Sequence, residues 1–114
     1  MREKLALAAV AVVAIAVAHP LCNLFFRCGC DLMGRAHCNL HQAAGPHCPW
    51  CVGVWRFVAV GAFCGAGLFA GWRLVRGRGP VVVFAAGLGG FLIAALIAGA
   101  VTVALTGYPR FIMW

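Results

Sequence analysis

Residues 80–106 read PVVVFAAGLGGFLIAALIAGAVTVALT, without one charged side chain. A stretch this long and this apolar reads as a membrane span. In hydrocarbon its backbone N–H and C=O groups find no water, so they must pair within the segment as an α-helix. Working outward, two further runs obey the same logic. Leu5 to Ala18 holds no polar residue and continues through His19 and Pro20 to Phe26. At helical rise that run measures about 33 Å, against a hydrocarbon core of roughly 30 Å. Val52 to Trp72 forms the third. The expected fold is therefore an all-α integral membrane protein of one domain, 1–114, with transmembrane helices at about 5–26, 52–72 and 80–106. A Cys/His-rich extracytoplasmic loop, about 19–51, joins the first two.

Composition agrees with that reading. The 114 residues are 65% apolar and only 10% charged, and mean hydropathy is +1.01. Soluble domains run to about 45–50% apolar and about 25% charged, so a water-soluble enzyme with a large core of its own is excluded. Nine Lys+Arg against two Asp+Glu give a formal charge of +7. The basic residues stand at the ends of the apolar runs, where they orient helices rather than bind nucleic acid. With the N-terminus cytoplasmic, the inner side carries Arg2, Lys4, Arg73, Arg76 and Arg78, and the outer side Arg27, Arg35 and Arg110. That bias places the Cys/His loop and the C-terminus outside, across a bacterial inner or plasma membrane. The first run also has the layout of a secretory signal, ending in Ala16-Val17-Ala18; it is read as an uncleaved anchor helix.

Between His19 and Cys51 lie six of the seven cysteines and all four histidines, in HPLCNLFFRCGCDLMGRAHCNLHQAAGPHCPWC. Three chemistries compete for them. For metal, Cys38-x2-His41 and Cys48-x2-Cys51 are two chelating arms that complete a tetrahedral, Zn-like site. His19, Cys22, Cys28 and Cys30 offer a second, less typical set. Thiolate and imidazole suit Cu(I) as well as Zn. No Cys-x-x-Cys-His occurs, which argues against attached haem. For disulfides, six loop cysteines outside the cytoplasm allow fifteen pairings. For thiol redox chemistry, Cys48-Pro49-Trp50-Cys51 opens the second helix, whose N-terminus lowers a thiol pKa, with Arg56 following.

The stretch from Cys48 to Arg56 is similar to the membrane disulfide-generating proteins of the DsbB type. Their Cys-x-x-Cys also starts a transmembrane helix and precedes an Arg near a quinone. The similarity is one of local design, since those proteins have an additional core helix and a different spacing to the Arg. It implies a redox role for Cys48 and Cys51.

Other residues have plainer readings. Cys64 is expected to pack, Arg56 to snorkel to the interface, and His19 to cap the first helix as readily as to bind metal. His37 and His47 are read either as supporting groups near a site or as substitutes for one of its ligands. Trp50, Trp55, Trp72, Tyr108 and Trp114 are expected in the aromatic belts. Gly61-x3-Gly65 and Gly67-x3-Gly71, with Gly87, Gly89, Gly90 and Gly99, offer small faces for close helix packing. Asp31 is the only acid besides Glu3, so paired-carboxylate catalysis is not available. These features favour a small, non-enzymatic accessory subunit of a larger membrane complex, its loop held by Zn or Cu or by disulfides. A thiol-disulfide oxidoreductase and a soft-metal (Cu) capture or delivery protein are the alternatives. The expected partners are the lipid bilayer and other membrane subunits or copies of the same chain, with no nucleic acid.

Overall fold

The computed structural model describes residues 1–33 and 37–112. Three long helices account for most of them: α1, Arg2–Phe26; α2, Val54–Leu74; and α3, Pro80–Thr106. A short 3-10 turn, Asn39–His41, lies between α1 and α2. All three long helices are long and apolar enough to span a membrane, and the molecule is elongated, 50 × 27 × 26 Å. Exposed Ile15, Val58, Phe63, Ile93 and Ile97 lie along them, which in hydrocarbon costs nothing. The helix starts and stops have local causes. Pro80 occupies the first turn of α3, where its missing N–H is not needed, and Gly107 ends that helix in the left-handed conformation. Arg27 ends α1 with φ 49, and its N–H bonds to Asn23 O.

α3 is the central element and packs against both α2 and α1. The α2–α3 crossing is closest where glycine faces glycine. A Cβ built on Gly67 would collide with the Gly90 carbonyl, one on Gly90 with the Gly67 carbonyl, and one on Gly71 with the Ala86 carbonyl. The small-residue face thus runs through Gly67 and Gly71. Gly61, Gly65 and Gly89 meet nothing within 4 Å, because they lie on other faces of their helices. At the opposite end from the cysteines, the Gly77 N–H donates to Glu3 Oε1 at 2.6 Å, tying the start of α1 to the α2–α3 turn.

The cap between α1 and α2 folds over the bundle end and corrects several expectations. Trp50 and Tyr108 do not stand in an aromatic belt. Both are buried, with Phe26 edge-on to each at 5.0 and 5.5 Å. Their polar atoms explain the placement. Trp50 Nε1 donates to Thr102 Oγ1 at 3.0 Å, and Tyr108 Oη donates to the Phe26 carbonyl at 3.0 Å. His19 does not cap α1, since the helix carries through Pro20 to Phe26 and keeps His19 within it. There it stacks on Phe57 at 5.9 Å. Cys64 is buried in the apolar core, as packing requires. Arg35 and Trp114 lie outside the described residues.

Candidate metal centre

Four backbone pieces bring the six cap cysteines together. Cys22 comes from the last turns of α1, Cys28 and Cys30 from the chain just after it, Cys38 from the residue before the 3-10 turn, and Cys48 and Cys51 from the turn leading into α2. Every one is at most 3% exposed. Cys22 Sγ lies 3.1 Å from Cys48 Sγ, 3.3 Å from Cys28 Sγ and 4.0 Å from Cys51 Sγ, while Cys30 Sγ is 3.7 Å from Cys51 Sγ. Three triads have all their sulfurs within 4.8 Å of one another: Cys22, Cys28 and Cys30; Cys22, Cys48 and Cys51; and Cys30, Cys38 and Cys51. Any two triads share a sulfur, so the six form one continuous cluster.

This grouping differs from the two Cys/His sets read from spacing. Cys38, Cys48 and Cys51 join Cys22, Cys28 and Cys30 in a single cluster, and among the described residues the close triads contain no histidine. His41 closes the 3-10 turn with its N–H bonded to the Cys38 carbonyl, which leaves its side chain exposed. His19 sits on α1 a turn below Cys22, against Phe57. His37 lines a polar cleft beside Cys28 rather than entering the cluster.

Cys28-x-Cys30 is the spacing least suited to aim two sulfurs at one point. Gly29 resolves it. Its φ of +87 is open to glycine at little cost, and a Cβ there would strike the His37 carbonyl. The Gly29 N–H also donates to Asn23 Oδ1 at 2.9 Å, fixing the exit from α1.

Asn39, which no motif singled out, organises the rest. Its Oδ1 accepts the Cys48 N–H at 2.7 Å, and its Nδ2 donates to the Pro46 carbonyl and to Tyr108 Oη, each at 2.9 Å. Its own N–H bonds to the Cys28 carbonyl. One residue, through its side chain and its backbone N–H, therefore ties the Cys38, Cys28 and Cys48 segments to the C-terminal segment. The sequence signal was only an Asn directly after a Cys, which is too common to read.

The electrostatics single out two sulfurs. Hydrogen bonds from Cys22 and then Cys48 lower the Cys28 pKa to about 6. Hydrogen bonds from Cys22, Cys28 and Cys48 hold Cys51 well below the ordinary thiol range. Burial pushes Cys30 and Cys38 up. Cys28 and Cys51 are thus the acceptors of the network, and a thiolate is the form that binds metal. The chain matches no family model, no curated protein and no solved structure.

Proposed function

We propose that this chain is a small, non-enzymatic membrane protein whose extracytoplasmic cap is a closed metal–thiolate site, and that it serves as an accessory subunit of a larger membrane assembly. The observation that carries the reading is the buried cluster of six thiols, five of them 3.1–4.0 Å from a neighbouring sulfur and Cys38 within 4.8 Å of Cys30 and Cys51. Sulfurs sharing one tetrahedral ion with Zn–S near 2.3 Å stand about 3.8 Å apart. A disulfide would bring a pair to about 2.05 Å. Burial of all six cysteines to 3% exposure or less is the mark of a structural rather than a catalytic ion, which keeps an open ligand position. The same burial disfavours the Cys48–Cys51 redox reading and a delivery role, both of which need a partner to reach the sulfur. The subunit role is supported by the α2–α3 groove, lined by Phe63, Ala66, Ala70, Ile93 and Ile97.

The test is elemental analysis of detergent-purified protein, with thiols counted after denaturation in the absence of reductant. Bound Zn or Cu with all cap cysteines reduced is the expected result. Absence of metal with the cap cysteines oxidised would sink the reading. For orientation, a membrane-impermeant maleimide applied after chelation and reduction is expected to label the 22–51 segment from the outer side. Labelling only from the cytoplasmic side would reverse the assignment.

A further inference from the structure

The six sulfurs are not arranged as four ligands and two bystanders. Cys22 and Cys48 are paired at 3.1 Å, on one side of the cluster. On the other, Cys30 and Cys38 lie within 4.8 Å of each other in the triad they form with Cys51. Cys28 and Cys51 lie between the pairs. Cys28 lies 3.3 Å from Cys22 on one side and shares a triad with both Cys22 and Cys30, one member of each pair. Cys51 does the same, within 4.0 Å of Cys22 and 3.7 Å of Cys30 and sharing one triad with Cys48 and another with Cys38.

From this placement we infer that the cap holds two divalent thiophilic ions of the Zn class, one between Cys22, Cys48, Cys28 and Cys51 and the other between Cys30, Cys38, Cys28 and Cys51. The inference rests on the metal reading above and deepens it. Coordination arithmetic closes: two tetrahedral ions need eight ligand positions, and six thiolates with two of them bridging supply eight. No histidine, water or outside ligand is required, in keeping with the position of His19 and His41 outside the triads. Binding takes all six sulfurs as thiolates, releases to solvent the protons of those still protonated, and changes no oxidation state. Two dications and six thiolates leave a net charge of two minus. That charge faces a polar cleft of about 260 Å³ over Cys28, lined by Arg27, Arg110 and His37. Two arginines lining the same cleft as Cys28 place positive charge toward an anionic core that the apolar surroundings would otherwise penalise.

The bridging role makes a specific demand. Removing a terminal pair leaves a complete half-site, since the other pair and both bridges remain. Removing a bridge disturbs both halves.

The test uses full-length protein in detergent, loaded with Zn or with ¹¹³Cd as the probe. Metal content per chain is expected to be two, and ¹¹³Cd NMR is expected to show two resonances in the tetrathiolate region, split by coupling through the shared sulfurs. The Cys30→Ser/Cys38→Ser and Cys22→Ser/Cys48→Ser double variants are each expected to keep one ion. If those variants fail to fold, the wild-type stoichiometry and coupling decide alone. One ion per wild-type chain, with two cysteines left as thiols or joined in a disulfide, overturns the binuclear site and leaves the metal reading standing. Three or more ions per chain overturn it in favour of a larger thiolate cage. No metal at all removes both.

Discussion

Cys22 Sγ and Cys48 Sγ stand 3.1 Å apart although 26 residues separate them. One sulfur belongs to the end of a transmembrane helix and the other to the turn before the next. Their meeting fixes the end of α1 against the start of α2, two helices that otherwise pack chiefly through α3. The cap therefore acts as a clamp on the bundle, and under the proposed metal site the binding free energy would add to the bundle's stability.

Gly29→Ala tests the local geometry of the clamp. A side chain at φ +87 is strained and would strike the His37 carbonyl, so the expected loss is on the order of 2–4 kcal/mol. Gly45 has φ +105 with nothing within 4 Å, and Gly45→Ala is expected to lose only the backbone term, about 1–2 kcal/mol. Thermal unfolding in detergent compares the two. Equal losses would show that the Gly29 contact is not tight.

Asn39→Ala removes the acceptor for the Cys48 N–H and the donor to Pro46 and Tyr108. Leaving the part-buried Cys48 N–H unpaired and loosening Tyr108 is expected to lower stability by about 1–3 kcal/mol. Tyr108→Phe deletes only the hydroxyl between Asn39 and the Phe26 carbonyl, with an expected loss of about 1–2 kcal/mol. Faster maleimide modification of the cap cysteines in metal-free protein reports the loosening. A neutral Asn39→Ala would remove that residue from its organising role.

Gly90→Leu places bulk where Gly67 and Gly71 approach. Backbones in contact cannot accept a side chain without separating, so α2 and α3 should part and the melting temperature fall by more than 10 °C, on the order of 3 kcal/mol. Gly89→Leu, on an open face of the same helix, is the control and is expected to melt near the parent temperature.

Trp50 and Thr102 join the cap to α3 through one hydrogen bond of 3.0 Å. A double-mutant cycle with Trp50→Phe and Thr102→Val is expected to give a coupling of about 1 kcal/mol. Additive effects would mean that burial alone holds Trp50.

By itself, the sequence determined the helices. Apolar runs such as 80–106 must be helical in a membrane, whatever surrounds them, because their own backbone groups have no other partners. Pro80 and Gly107 also mark the ends of α3 by local chemistry alone. It likewise put six cysteines in one segment and so made that segment the candidate site. What only the tertiary structure decided is who meets whom there. Spacing grouped Cys38 with His41, and His19 with Cys22. In the folded chain the direction of α1, the positive φ of Gly29 and the Asn39 bonds bring six sulfurs into one cluster apart from both histidines. Trp50 and Tyr108 moved inward for the same kind of reason, since Thr102 and the Phe26 carbonyl, distant in sequence, wait there as partners. Spacing along the chain records which side chains are close in sequence, whereas ligand sets depend on distances across segments that only packing sets.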